Sequence, residues 1–483
     1  MNKTYKAHPI MMLSFVKPFL FVLVLPLATA LIRYLTARKL NNILALEIFC
    51  FSFIILLGIA RFLAFKIIVS DDILTIKSGV IFARTSNINL SRISSVQVER
   101  NPLDMLFRSV TCKINTEAGT LKRSDFKFKL KYKDSLELSD LLFIDKKTIS
   151  RVRFSAYKVA IMAAATSSAA TGMIVGVPVL HRVGSLLGIG IEQMLFDEIT
   201  NVSNKFQNYF PPIVNTVTLV VLLAYAFSFG YSFLKHINFK LSFGEERLTV
   251  RSGFFVRIKT AFMRTRVNNA KLEQTLLMRF IRRYSMKASV GGFDDSKSVS
   301  QVVVPSGKKR DILNDFSEYF PFLNPTGKTL RPDRRLGIKN RFFIWPAVYF
   351  LLILGVSIYL CLRFPDFDRL IQFLTLVLLV VVLLYAYSCL YEYLHGSLRF
   401  GENIFAQSNR FFGTRAMYCP KKNIGQVKIT RFPLDKFQKI CRVRLTVCSE
   451  NADSVRVKFV NYSEATEEIA NCFNLGNYFD LNA

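Results

Sequence analysis

Hydrophobic positions along this chain follow two regimes. Apolar runs of about 20 residues, the length that spans a bilayer, alternate with stretches in which apolar and polar residues switch every second position, as in half-buried strands. Six long runs cover approximately residues 14–34, 43–65, 159–179, 213–233, 343–362 and 370–391. They form three pairs, and each pair leads into a strand-patterned segment.

The strand-patterned segments repeat one another. Residues 69–81, 243–255 and 400–412 align without a gap, and the register holds to Leu103, Leu277 and Leu434. Repetition at this length predicts duplicated domains rather than a solenoid of short units. Gly79 and Gly253 fall where two strands turn and a positive φ is needed. The third copy has Asn409 and Arg410 there, which predicts that Asn409 takes the left-handed position. Each copy closes in a helix-like stretch, at 135–143, 308–319 and 463–473. Ser463, followed by Glu467, reads as the last helix's N-cap.

The predicted organisation is a transmembrane hairpin over residues 1–65 and a domain over 66–153. A second hairpin covers 154–235, with an external amphipathic loop at 181–212, and a second domain covers 236–325. A basic linker (326–341), a third hairpin (342–394) and a third domain (395–483) complete the chain. A small-residue pattern at Ala28 and Ala30 resembles a signal-peptide cleavage site, but equivalent uncleaved hairpins in the later copies favour an anchor.

Composition supports this segregation. The 483 residues are 51% hydrophobic, with a mean hydropathy of +0.30, yet 20% are charged. Net charge is +31, and residues 240–341 hold 22 Lys and Arg against 9 Asp and Glu. Such an excess points to an anionic partner, and for a membrane-held protein lipid headgroups are nearer than nucleic acid. Orientation by the positive-inside rule accounts for the same excess. Both readings place the strand-rich segments and both termini in the cytoplasm, in a multi-pass protein of the cell membrane. The eight cysteines show no metal-ligand or disulfide spacing, so neither a metal nor a cofactor is expected. No Ser-His-Asp set, P-loop or dinucleotide fingerprint appears, and an enzyme is not expected.

Specific residues carry a resemblance. The sequence Asp72, Leu74, Ile76, Gly79, then Arg92, Ile93, Val96, Val98, Pro102 and Leu103, behind a hydrophobic hairpin, resembles the bacterial membrane-flanked pleckstrin-homology-like domain. The threefold arrangement is similar to the YdbS/YdbT-like proteins, in the triplicated form. Copy two matches at Leu248, Val250, Gly253, Arg266, Val267 and Leu277, and copy three at Ile424, Val427, Pro433, Leu434 and Phe437. Copy two replaces the proline by Leu276, and copy three lacks the turn glycine. The resemblance implies three cytosolic α+β domains, each of bent antiparallel sheets with a C-terminal helix, on a six-span α-helical membrane protein. It also implies membership of a membrane assembly, as a homo- or hetero-oligomer or with a shorter single-domain relative. It implies no catalytic activity.

Four features are candidate sites. Basic residues of the first strand hairpins, Arg251, Arg257 and Lys259 in copy two, Lys77 and Arg84 in copy one, and Arg410 and Arg415 in copy three, suit anionic headgroups or a partner protein. A solvated strand face that discourages edge pairing is the plainer reading. Glu47, in the second apolar run, suits an interfacial ion pair or an ion relay. The small residues of 163–172 suit close helix packing or a polar path. Leu186, Leu187, Ile191, Met194 and Leu195 recur at helical spacing opposite Gln193, Asp197 and Glu198, predicting a helix that lies on the membrane or meets a partner.

Overall fold

The computed structural model describes residues 3–12, 42–70, 72–80, 82–116, 126–142, 148–187, 190–205, 212–290, 302–333, 336–410, 413–448 and 454–474. Three modules of one design follow each other. The first contains β1 (Lys3–Lys6), α1 (Asn42–Ala64), β2 (Lys66–Val69), β3 (Ile73–Ser78), β4 (Arg84–Asn89), β5 (Ile93–Arg100), α2 (Pro102–Leu106), β6 (Ser109–Thr116), β7 (Phe126–Lys131) and α3 (Tyr132–Leu142). The second contains β8 (Thr148–Arg153), α4 (Ala156–Thr166), α5 (Ala169–Leu187), α6 (Ile191–Lys205), α7 (Pro212–His236), β9 (Lys240–Gly244), β10 (Arg247–Ser252), β11 (Arg257–Met263), β12 (Val267–Gln274), α8 (Leu276–Phe280), β13 (Tyr284–Val290), β14 (Val302–Gly307) and α9 (Lys309–Ser317). The third contains β15 (Thr329–Leu330), α10 (Leu336–Arg363), α11 (Asp368–His395), β16 (Ser397–Arg399), β17 (Asn403–Arg410), β18 (Gly413–Pro420), β19 (Ile424–Thr430), α12 (Pro433–Phe437), β20 (Ile440–Val447), β21 (Ser454–Asn461) and α13 (Tyr462–Phe473).

The gapless register reaches beyond the sequence pattern. Arg108, Arg282 and Lys439 occupy the same place, and each has a positive φ of 52–53°. Gly79 and Gly253 take φ of 101° and 103°. A Cβ on Gly253 would sit 1.9 Å from the Val256 carbonyl oxygen, so no other residue fits that turn.

Each module begins with a strand placed before its helices. β1, β8 and β15 pair antiparallel with β2, β9 and β16. Residues 148–153 thus pair into the sheet that β9 continues, and 329–330 pair with β16. The reason is register: Arg153 lies opposite Lys240 and Leu330 opposite Leu398, which extends an existing ladder.

The modules share sheets. β5 pairs with β11 and β12 pairs with β18, which makes two seven-stranded sheets, β7-β6-β5-β11-β10-β9-β8 and β14-β13-β12-β18-β17-β16-β15. Both junctions have the same register: Val96 faces Ala261, and Ala270 faces Tyr418. Cores are shared too. Ala261 packs in the first module's core, and Phe405, Ala416 and Tyr418 pack in the second's. Each fully buried large apolar side chain contributes roughly 1.5–3 kcal/mol.

Among the described residues three helices are long and apolar enough to cross a membrane, over Asn215–His236, Phe343–Arg363 and Pro365–His395. The first expected run, 14–34, lies outside the described residues. The second forms helix α1, whose described apolar part is Ser52–Ala64. The third is not one straight helix, because α4 and α5 meet at a 97° bend. At the break Thr166 and Ser167 hydroxyls donate to the Met162 and Ala163 carbonyls, and the Ser168 amide donates to Ser228 Oγ. Side-chain competition for backbone groups ends α4 there. The small residues pack closely: a Cβ on Gly172 would lie 1.6 Å from the Ala224 carbonyl oxygen on α7. The 191–205 stretch is helical, with Gln193, Asp197 and Glu198 exposed, but Met194 is exposed as well and Leu195 half-buried. The side chains of Leu186, Leu187 and Ile191 lie outside the described residues.

Two local expectations are corrected. Asn409 does not adopt a positive φ, because β17 continues through it and pairs Asn409 with Thr414 and Arg410 with Gly413. Residues 411–412, which follow, lie outside the described residues. The cap of α13 is Asn461, whose Oδ1 accepts from the Ser463 amide at 3.1 Å, and Ser463 is already helical.

Asp104 anchors the β5–β6 connection. It is fully buried, accepts from Ser109 Oγ at 2.8 Å, and pairs with Lys129 at 2.6 Å. Burial acts to raise its pKa, but the hydrogen bonds and charge from Lys129 and Ser109 outweigh burial and hold it below the usual carboxylate range. A depressed folded-state pKa contributes stability that is present above the unfolded pKa and lost as pH falls through the folded one. Asp104→Asn should therefore destabilise the first module by about 3 kcal/mol at neutral pH, since Lys129 loses its partner. The deficit should shrink on acidification, as hydrogen exchange of β5 and β6 across pH would measure.

Candidate functional site

Pairing places cations in rows. Lys6, Lys66 and Lys77 lie directly opposite one another on β1, β2 and β3. Arg153, Lys240, Arg251 and Lys259 do the same on β8, β9, β10 and β11. Arg257 adjoins the second row and faces Arg100 across the module junction. These side chains are exposed, apart from the half-buried Lys259 and Arg100. Neither row contains a carboxylate. Leu241, Val250 and Ile258, on the other face, are buried. Alternation thus separates a core face from a cationic face.

The second row runs along the rim where the sheet meets the helices. Arg153 lies just before α4, and Lys240 just after α7. The turn between β10 and β11 is fastened to the end of α7: the Gly253 amide donates to the Ile237 carbonyl at 2.8 Å, and the Phe254 amide to that of Leu234 at 3.0 Å. Phe254 and Phe255 project from this turn, 53% and 56% exposed. The turn between β3 and β4 presents Phe82 at 88% exposure. The helices α2, α8 and α12 present Leu106, Phe280 and Phe437 at matching positions, each at least 74% exposed. Exposed aromatic residues beside cations suit a headgroup layer, with an apolar zone on one side and charge on the other.

The first and second modules therefore both carry the cationic row, whereas the sequence pattern pointed mainly to copy two. In the third module the residues directly opposite one another along this row are Ser397, Gln407 and Ala416. Arg415 is drawn into the second junction, 2.9 Å from Glu273. Burial would raise the pKa of Glu273, but Lys287 and Arg415 overcome it and lower the value. Arg84 is exposed on β4, opposite Ser78. The side chains of Arg410 and Glu47 lie outside the described residues. Among the described residues, no group of three His, Cys, Asp or Glu could hold a metal ion.

Sequence reasoning missed the contacts that tie the modules to the helices. Arg279, almost buried, stacks on Tyr391 of α11 at 4.1 Å and donates to Asn409 and Thr414 at 2.8 Å. Asn409 in turn donates to Ser388 on α11. Glu392, buried near the end of α11, accepts from Lys458 of β21 at 3.2 Å. A carboxylate in the last turns of an apolar run was the available signal. A cleft of about 610 Å³ opens between the second and third modules beside α11, lined by Lys309, Arg331, His395 and Arg399 among others, with no carboxylate. Burial, and secondarily Arg399, lowers the pKa of Lys309.

A family model described as bacterial PH domain matches residues 15–153, 189–312 and 349–473. No curated protein and no solved structure gave a match.

Arg279 is expected to couple the second and third modules to α11. Arg279→Ala should speed hydrogen exchange in β17 and β18 by roughly tenfold or more, given the charged hydrogen bonds it removes. Exchange in β6 and β7, which lie in the first module, should not change.

Proposed function

The chain belongs to the bacterial PH domain family, and from that premise we propose that it is a membrane-embedded scaffold that holds anionic lipid headgroups along the rim of its first two modules. The supporting observation is the row Arg153, Lys240, Arg251 and Lys259, set beside a Phe254–Phe255 turn that is hydrogen-bonded to the end of an apolar helix. Each cation near an anionic surface contributes about 1 kcal/mol, so the rows act together. In this reading the helices make three membrane hairpins with six crossings, and the modules and both termini face the cytoplasm. The first row lies on the four-stranded sheet and the second on a shared seven-stranded sheet, and the junction that joins their modules raises the effective concentration of every second contact. The role is one of binding and arrangement rather than catalysis, and partner proteins attach to the array.

A second reading, a transport or export component regulated by its PH-like modules, draws on the bend between α4 and α5, since broken helices can line pathways. The side chains at that bend satisfy the freed backbone groups, so packing explains the bend equally well. We favour the scaffold.

The test uses the full chain purified in detergent and offered phosphatidylglycerol or phosphatidylcholine, with bound lipid counted by native mass spectrometry. Wild type should retain phosphatidylglycerol preferentially. The variant Lys66→Gln, Lys77→Gln, Lys240→Gln, Arg251→Gln should lose that preference by on the order of tenfold or more. Equal retention by both proteins would remove the lipid reading.

A further inference from the structure

Among the described residues the inter-module pairing leaves β4 without a partner module at one end of the array and β19 at the other, and the edge at β19 differs chemically from its internal equivalents. β5 and β12 are each covered by a strand of the next module, whereas among the described residues β19 pairs only with β20. Burial follows this difference. Ser95 and Asn269 are fully buried within the junctions, but Gln426, at the same position, is exposed.

The cationic face beside β19 also lacks a carboxylate that the other modules supply. Glu99 pairs with Lys113 at 2.8 Å, and Glu273 with Lys287 at 2.8 Å. The corresponding residues of the third module are Thr430 and Arg444. Lys428, Arg444 and Arg456 lie directly opposite one another on β19, β20 and β21. Together with Thr430, Phe432 and Arg442 they line a cavity of about 230 Å³. Arg442 meets Asp435 at 3.5 Å. Among the described residues no carboxylate pairs with Lys428, Arg444 or Arg456.

We propose that β19 is the docking edge for an antiparallel β-strand of another protein that carries an Asp or Glu opposite Thr430. The two internal junctions define the register: Glu99 faces Ile258 and Glu273 faces Arg415, so Thr430 faces the corresponding position of the incoming strand. Backbone hydrogen bonds supply the affinity and the side chain opposite Thr430 supplies selectivity, the usual division in strand addition. The incoming carboxylate takes the place left by the missing glutamate. A second copy of this chain is a poorer occupant. Its own free edge, β4, would bring Arg84 to that position in the same register, beside Arg442 and Arg444. The inference does not depend on lipid binding, because β19 lies outside both cationic rows.

The probes are two synthetic strands with the sequence of β18, residues 413–420, both with Ser in place of Cys419. One keeps Arg415 and the other carries Arg415→Glu. Fluorescence anisotropy with the full chain in detergent should show the Glu strand binding roughly tenfold more tightly. The variant Thr430→Glu rebuilds the arrangement of the second junction and should reverse the preference. Native mass spectrometry tests self-association alongside. Failure of both strands to bind, equal binding, an unreversed preference, or wild-type oligomers abolished by Asn87→Lys on the edge strand β4 would each overturn the proposal. None of these results bears on phosphatidylglycerol retention.

Discussion

Antiparallel pairing between modules is the constraint on which the rest of the structure depends. β5 meets β11, and β12 meets β18, in one register. An exposed strand edge is a hazard that proteins normally cover or blunt, and here each module covers the edge of the one before it. The consequence is continuous sheets rather than three domains on flexible tethers. β11 and β18 each contribute side chains to two cores, so the modules cannot move apart without exposing Ala261 at one junction or Tyr418 at the other. The order of the chain follows from the same arrangement. Because β1, β8 and β15 precede their helices and still join the sheet after them, the described helices of each module are bracketed by strands of one ladder.

Those ladders give the cationic rows their position. A lysine at the end of a flexible loop samples many places, but Lys240, next to the buried Phe239 and paired with both Arg153 and Arg251, has little freedom to leave the rim. The amide bonds from Gly253 and Phe254 to the last turn of α7 fix the hairpin tip to the same level. Aromatic tip, cationic row and helix end therefore form one surface. The third module departs from it, with Ser397, Gln407 and Ala416 in the row and its cations used elsewhere: Arg415 in a junction ion pair, and Lys428, Arg444 and Arg456 on an uncovered face. Duplication has preserved the sheet while the copies took on different surfaces.

Much of this was legible in the sequence. The gapless repeat gave the modules, and the turn at Gly79 and Gly253 was correct because positive φ leaves few alternatives to glycine. Local signals failed where tertiary pairing decided the outcome. Residues 148–153 and 329–330 are too short to declare which ladder they join, and only their partners, β9 and β16, decide it. Asn409 suits a left-handed turn in isolation, yet hydrogen bonds to Ser388 and Arg279 keep it in a strand. The apolar run at 159–179 has the composition of one span, and only the hydroxyls at Thr166 and Ser167 disclose a bend. Of the site, the basic hairpin residues were visible as a list of cations. Their alignment with Lys240, Arg153, Lys66 and Lys6 needed cross-strand register, which no single strand encodes.

The central claim is that the rim of the first two modules lies in the headgroup layer, and depth measurement tests it most directly. A spin label at Phe254, in the full chain reconstituted into liposomes, reports its surroundings through relaxation by oxygen and by a water-soluble nickel complex. The account predicts a label that oxygen reaches more readily than nickel, at the headgroup boundary, with Phe82 giving the same result and the exposed Glu245 a water-like one. A label at Phe254 as accessible to nickel as one at Glu245 would contradict it.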